Sequence, residues 1–366
     1  MLGLSANVYA GNTSGEECVT IKITVTDGSN FYKSKSNDVM ILKELTVPYF
    51  DLALYGLEHY YYNPDCYKGE QQTAGTSRTA EGKVTVLHAL IYATEVFELN
   101  IPEDEAGLGI LYLSEEMSDY LSINGKVGSI FFTNFWQLGY NMNYFINYSY
   151  PLGSTGWGAT ADQILLEEND HINIHHIKSN DPNITGTSYA YFAADGIKDF
   201  ASVKQGEILN LDLLYTTKGS NNATVSVAGK RMPVYYTTDP SNVDPSTWTY
   251  LGHTDVSGRI NFDTSLLATG TYYIATSSVG ASFDSGVEYA PGAAVVTIEG
   301  NSCGDVNGDG KINSTDASMI LRYAAGKTTI LDPIAADVSG DQKINSTDAS
   351  LILRYAAGLI MEFPAN

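Results

Sequence analysis

The sequence has no apolar run near the roughly 18 residues that read as a membrane-spanning helix, so membrane insertion is not expected. Positive charge is also scarce: Lys and Arg number 20 against 42 Asp and Glu, a net charge of −22. Nucleic acids are polyanions and need a basic patch. The Lys and Arg here are scattered, which argues against nucleic-acid binding. Cysteine is limited to three residues. Cys18 and Cys66 could pair in an exported protein, closing a loop of about 48 residues worth a few kcal/mol. Two unpaired, half-buried thiols are the equal alternative, and Cys303 is left over. No G-x-S-x-G elbow, H-E-x-x-H helix or P-loop occurs. No long Pro/Ser-rich linker is present either, so the modules are expected to sit close together.

The first ten residues, MLGLSANVYA, read as the tail of a secretory signal, with Val8 and Ala10 where small residues precede a cleavage site. Residues 1–16 are therefore expected to be a signal-peptide remnant and a polar tail. That implies a secreted protein in an extracellular or cell-surface complex.

Residues 17–180 mix strands with one helix, the pattern of an α+β domain. CVTIKITVTDG (Cys18–Gly28) alternates as a half-buried strand does, and Thr46–Gly56, Met142–Pro151 and Asp170–Ile177 read as further strands. The helix runs over Thr85–Phe97, with Thr85 as its N-cap and Val86, Leu90, Ala93 and Phe97 on one face. In residues 181–300 helix signals nearly vanish. Seven short alternating runs begin at Glu207, Asn222, Met232, Thr249, Arg259, Gly270 and Ala293. Such spacing predicts an all-β, Ig-like sandwich. Gly300 to Ser302 form a brief polar joint.

Residues 303–360 contain a duplication. From Asp305 and from Asp337 the chain repeats itself at about 19 of 23 positions, a strong internal-repeat signal. The first copy places oxygen side chains at Asp305, Asn307, Asp309, Asn313 and Asp316, which are the first, third, fifth, ninth and twelfth loop positions. The second copy places Asp337, Ser339, Asp341, Asn345 and Asp348 there. This is the spacing of an EF-hand loop, in which the carbonyls of Lys311 and Lys343 complete the oxygen shell of a hard cation. Two Ca2+ ions are expected. Gly310 supplies the sharp turn at the sixth position. Gln342 takes its place in the second copy and should bear backbone strain. A short helix follows each loop, with apolar stripes Ala317, Ile320, Leu321, Ala324 and Ala349, Ile352, Leu353, Ala356. Gly326 and Gly358 stop the helices.

This loop-then-helix pair, over Cys303 to Ile360, resembles the type I dockerin of cellulosomal proteins. The resemblance implies a small all-α calcium-binding module with two loop–helix repeats that plugs into a cohesin domain of a scaffold protein. It assigns cohesin contacts to Ser314, Thr315, Leu321 and Arg322, and to Ser346, Thr347, Leu353 and Arg354. Two near-identical copies further imply approximate two-fold symmetry, so that either copy could face the same cohesin.

The cargo carries weaker signals. Carboxylate pairs that could suit glycoside hydrolysis are Glu95 with Glu98, Glu115 with Glu116, and Glu167 with Glu168. All read as acidic surface positions, and no catalytic residue is assigned. His171 and His175 share a face of a strand about 13 Å apart, too far for one ion, and read as structural. His59 and His88 are isolated. Tyr60, Tyr61, Tyr62, Trp136, Tyr140, Tyr148 and Trp157 could form a sugar-stacking platform or simply pack in a core. Four segments loosely resemble the domain of unknown function related to the C-terminal β-domain of transcobalamin: VTVLHALIYATEVF, YLSINGKVGSIFF, YNMNYFINYSYP and DQILLEENDHINIHHI. That resemblance implies a β-grasp-like sheet, without implying cobalamin binding. The expected protein is thus a non-catalytic, secreted cellulosome-type component that displays binding domains, with polysaccharide as a candidate ligand. A small unrecognised carbohydrate-active hydrolase and a corrinoid-like small-molecule adhesin are the alternatives.

Overall fold

The computed structural model describes residues 18–57, 67–68, 82–109, 120–124, 131–138, 142–151, 160–178, 186–218, 224–277, 287–330 and 332–365. The signal-like stretch, Cys66, His59, Glu115, Glu116, Tyr60, Tyr61, Tyr62, Tyr140 and Trp157 lie outside these residues.

The first body is built on β1 (Cys18–Asp27), with β2 (Asn30–Phe31), β3 (Lys43–Pro48), β4 (Tyr67–Lys68), β5 (Leu121–Asn124), β6 (Phe131–Phe135), β7 (Met142–Ile146), β8 (Ile164–Leu165) and β9 (His171–His176). β1 lies at the centre of the main sheet. β2 and β3 pair with it antiparallel. β9 pairs with it in parallel, and β7 closes the far edge antiparallel to β9. Val19, Ile21, Ile23 and Val25 alternate into the core. Thr24 and Thr26 are buried as well, because the opposite face of β1 is also covered there.

Helix α1 (Val86–Ala93) packs against this sheet and runs on through a π-turn over Thr94–Glu98. All eight residues of α1 are buried, so the expected single apolar face gives way to a helix enclosed all round. A second expectation also changes. The strand read over Thr46–Gly56 ends at Pro48. The Asp51 side chain then caps the 3-10 turn Leu52–Tyr55, and Gly56 at φ 72 terminates it. Among the described residues Cys18 and Cys303 are free thiols.

Among the described residues the second body has eleven strands: β10 (Gly186–Ala194), β11 (Ile197–Lys198), β12 (Phe200–Lys204), β13 (Ile208–Lys218), β14 (Thr224–Ala228), β15 (Pro233–Thr237), β16 (Thr249–His253), β17 (Arg259–Asp263), β18 (Gly270–Thr276), β19 (Val287–Ala290) and β20 (Ala293–Glu299). One sheet joins β11, β10, β13 and β14, with β17 and β19 attached; the other runs β12–β20–β18–β15–β16. They face each other over a core that includes Phe192, Leu211, Leu213, Val234, Phe262, Ile274 and Val296. All seven strands expected from alternation are present, and β10, β11, β12 and β19 are additional.

The first and second bodies touch at two apolar patches. Phe31, Ile41 and Leu42 meet Trp248, Ala275 and Ala293. Phe145 and Tyr148 meet Tyr189, Tyr191, Ala193 and Ala290. After β20 only Gly300, Asn301 and Ser302 precede the C-terminal module. The N–H of Asn301 donates to Asp332 at 2.8 Å, and the same carboxylate caps the next helix through Ile334 and Ala335. The module holds α2 (Ser314–Ala324), the one-turn α3 (Pro333–Ala336) and α4 (Ser346–Ala356). No helix among the described residues is long and apolar enough to cross a membrane.

Candidate functional site

The two acidic loops are near copies in space as well as in sequence. In the first, Asp305 accepts N–H groups from Gly308, Asp309 and Gly310. Asp316, at the far end, accepts from Val306, Asn307 and Asn313. In the second, Asp337 accepts from Gly340 and Gln342, and Asp348 from Ser339 and Asn345. Asp316 and Asp348 are fully buried and Asp305 nearly so. Asn313 and Asn345 do a second job: their amide oxygens accept from Thr315 and Thr347 and cap α2 and α4.

Backbone conformation follows the loop register. Gly310 sits at φ 78, and Gln342, at the equivalent position, is forced to φ 62. The strain expected at Gln342 is therefore present. Each helix ends in a Schellman motif. Gly326 and Lys327 donate to Tyr323 and Arg322, and Gly358 and Leu359 donate to Tyr355 and Arg354.

Do these residues suit a hard cation? Among the described residues, no group of three or more His, Cys, Asp or Glu side chains is gathered tightly enough to hold a metal. The three aspartates of each loop are thus not drawn onto one point in this structure, and the fit to a cation rests on the chemistry of the donor set. Each set mixes three carboxylates with amide or hydroxyl oxygens and one backbone carbonyl, as a calcium loop does. None of the six loop carboxylates forms an ion pair among the described residues. A fully buried carboxylate met only by N–H dipoles is costly without a nearby positive charge. The donor set therefore fits calcium.

The helices pack against each other through Ala317, Ile320, Ala349 and Ile352, closed by Val306, Val338, Ala336 and Phe363. The inward stripe is narrower than expected. Leu321 and Leu353 are 47% and 45% exposed, and Ala324 and Ala356 face solvent. Ser314, Thr315, Arg322, Ser346, Thr347 and Arg354 are exposed too. Each helix thus shows solvent a face that joins a Ser–Thr pair, a leucine and an arginine.

The cargo candidates resolve differently. Glu95 and Glu98 are buried, not surface residues. Glu95 accepts from the Tyr55 hydroxyl at 2.8 Å and from Gly107 N–H at 2.7 Å. Burial raises the pKa of both carboxyls above the ordinary range. Glu167 and Glu168 are exposed. His88 is enclosed at the start of α1, accepting Thr85 N–H at Nδ1 and meeting the Phe50 carbonyl at Nε2. Burial lowers its pKa to about 4. His171, His175 and His176 each meet a different carboxylate, Asp199, Glu288 and Asp27. Trp136 and Tyr148 are packed away at 1% and 3% exposure, so neither serves a sugar platform. Trp136 stacks on Phe135 and donates to Thr94.

No curated protein matches the chain. Two solved structures are among those similar to the chain. Both show the third cohesin of ScaC in complex with the ScaB dockerin from Acetivibrio cellulolyticus, displaying a type I interaction. One carries an IN-to-SI mutation in the C-terminal helix, the other in the N-terminal helix. Each is 38% identical and covers 18% of this chain and 93% of the other, with a TM-score of 0.17. The family model for the dockerin type I domain matches residues 303–356. The chain therefore carries a type I dockerin domain near its C-terminal end.

Proposed function

We propose that this protein is a secreted component of a cellulosome-type assembly, docked on a scaffold cohesin by its C-terminal module. The observation that carries this reading is the pair of equivalent helix faces. Ser314, Thr315, Leu321 and Arg322 on α2, and Ser346, Thr347, Leu353 and Arg354 on α4, are left exposed by the same loop geometry. One Ca2+ in each loop would supply the positive charge that the clustered oxygens lack. Asp305, Asn307, Asp309, Asn313, Asp316 and the Lys311 carbonyl would hold the first ion. Asp337, Ser339, Asp341, Asn345, Asp348 and the Lys343 carbonyl would hold the second. By anchoring the N-termini of both helices, the loops set the Ser–Thr pairs in place.

The rest of the chain is cargo. Residues 17–180 form the first domain, 181–300 the second and 303–360 the dockerin. The strand order of the first, β3–β1–β9–β7 with β1 and β9 parallel and a helix between β3 and β7, supports a β-grasp reading. The two facing sheets of the second support an Ig-like one. A display role suits this cargo better than hydrolysis, because Glu95 and Glu98 are spent on buried internal hydrogen bonds. A groove of about 450 Å3 between the bodies is lined by Phe200 and Tyr273 with Asn37, Asp38, Glu44 and Asp239. Rings beside hydrogen-bonding groups suit a polysaccharide segment.

The test is capture on a panel of cohesins with calcium and with EDTA. Binding is expected in calcium alone. Changing one Ser–Thr pair to Ala–Ala should leave it nearly intact, and changing both should abolish it. Capture that persists in EDTA would reject the reading.

A further inference from the structure

The interface between the first and second bodies contains two rows of hydrogen bonds that docking does not use. Each starts on β1, crosses a histidine of β9 and ends on a carboxylate of the second body. In one, Thr24 Oγ1 lies 2.8 Å from His171 Nε2, and His171 Nδ1 lies 3.1 Å from Asp199 Oδ2. The other oxygen of Asp199 accepts the Tyr148 hydroxyl at 2.5 Å. In the second row, Thr26 Oγ1 lies 2.8 Å from His175 Nδ1, and His175 Nε2 lies 3.1 Å from Glu288 Oε1. Thr24, Thr26, His171, His175 and Asp199 are between 0% and 7% exposed. Tyr148 and Asp199 both hold positive φ, 63 and 70, a conformation that persists only where surroundings enforce it.

A hydroxyl, an imidazole and a carboxylate in a row also describe an activated nucleophile. Here no substrate could reach it. Among the described residues, a cavity of about 10 Å3 beside the rows is walled by Thr24, Thr26, Tyr148, Asn173 and Tyr189, room for one water. The buried Asn173 Oδ1 has no partner and would take such a water. The rows therefore act on the interface itself.

We infer that they form a proton-controlled clamp, which holds the first body on the second at neutral pH and releases it in acid, with His175 as the trigger. With His175 neutral, its Nε2–H donates to Glu288, and Nδ1 accepts the Thr26 hydroxyl proton. A second proton on Nδ1 turns Thr26 into an acceptor, and its hydroxyl proton then goes to the Ile174 carbonyl 3.1 Å away. The hydrogen bonds survive this exchange, but a charge has been placed at a site with no exposure.

Several groups face His175. Glu288 reaches it from β19, and Tyr189 on β10 presents its ring at 6.3 Å. Asn143 is its register partner on β7, and Asp27 and His176 lie at the end of the β1–β9 pair. His171 is faced by Asp199, Tyr148 and Asn173, and Lys22 is its register partner on β1. Burial is the largest influence on His175 and lowers its pKa from 6.5; His176 adds to this, whereas Glu288 and Asp27 oppose it. The sign follows by linkage: docking is strongest above the free-histidine value and weakens as pH falls below it toward the docked value.

The test is site-resolved hydrogen exchange on the full chain at constant calcium. Global melting would mix in Glu95 and Glu98, which belong to the α1 side of the first body. After correction for intrinsic pH dependence, segments 142–146 and 186–194 are expected to exchange several-fold faster at pH 5.0 than at pH 7.5. Exchange over 346–356, in the C-terminal module, should hold steady. His175→Gln keeps a donor for Glu288 but takes no proton, and should abolish the difference. Glu288→Gln, a second variant in case the first misfolds, removes a charge that favours protonated His175 and should enlarge it. Equal protection at both pH values in the unaltered protein overturns the clamp. So does a difference that survives His175→Gln, or one that Glu288→Gln leaves unchanged.

Discussion

The β bodies and the C-terminal module treat buried carboxylates in opposite ways. In the β bodies buried Glu95 has Tyr55, buried Asp199 has Tyr148 and His171, and half-buried Glu288 has His175; among the described residues only Glu98 leaves a carboxylate oxygen buried without a partner. In the module Asp316 and Asp348 are as deeply buried, yet their hydrogen bonds come from backbone N–H groups of their own loops. The bodies settle their charges internally. The module leaves its charges to be settled by something from outside. One region should therefore fold without regard to metal, and the other should not.

The sharpest way to break this contrast is to remove calcium, or to make Asp316→Ala. The substitution strands the N–H groups of Val306, Asn307 and Asn313, at a cost of about 3 kcal/mol or more in total. Calorimetry is expected to show the module's transition collapse while that of the β bodies stays in place. A shift of both would end the comparison. A smaller effect is expected inside the first body. Glu98 has one buried oxygen without a partner, and burial raises its pKa above 4.5. Its favourable contribution is complete below that value and is lost as pH rises through the folded-state pKa. Glu98→Gln should stabilise the protein at pH 7 by about 1 kcal/mol and flatten that part of the pH profile, as measured by thermal denaturation between pH 4 and 8. The smallest change lies within the module. Gln342→Gly relieves the positive φ of the second loop and should raise the melting point of the calcium-loaded module by an amount equivalent to about 0.5–1 kcal/mol. The same substitution in apo protein should do less.

How much of this could be read in advance depended on how local the cause was. Alternation revealed β1 and β13 because one face of each is apolar along most of its length. The loop carboxylates announced themselves through spacing alone. β10 escaped because GTSYAYFAA does not alternate: Phe192 faces the sheet-to-sheet core while Tyr189 and Tyr191 are buried against the first body. The strand expected through Gly56 failed at Asp51, whose side chain starts a turn. Leu321 and Leu353 sit on a stripe that fits a helix face, but the buried seam between the helices runs through Ala317, Ile320, Ala349 and Ile352 and leaves them exposed. The pairing of Thr24 with His171 spans 147 residues, and no periodicity within either segment encodes it.

The joint between β20 and the dockerin sets one more condition. Gly300 to Ser302 span about 10 Å at full stretch, and Asn301 is tied to Asp332. An arm that short has almost no slack. A grip on the module therefore also keeps the attached β bodies within the reach of three residues, instead of trailing them on a long tether.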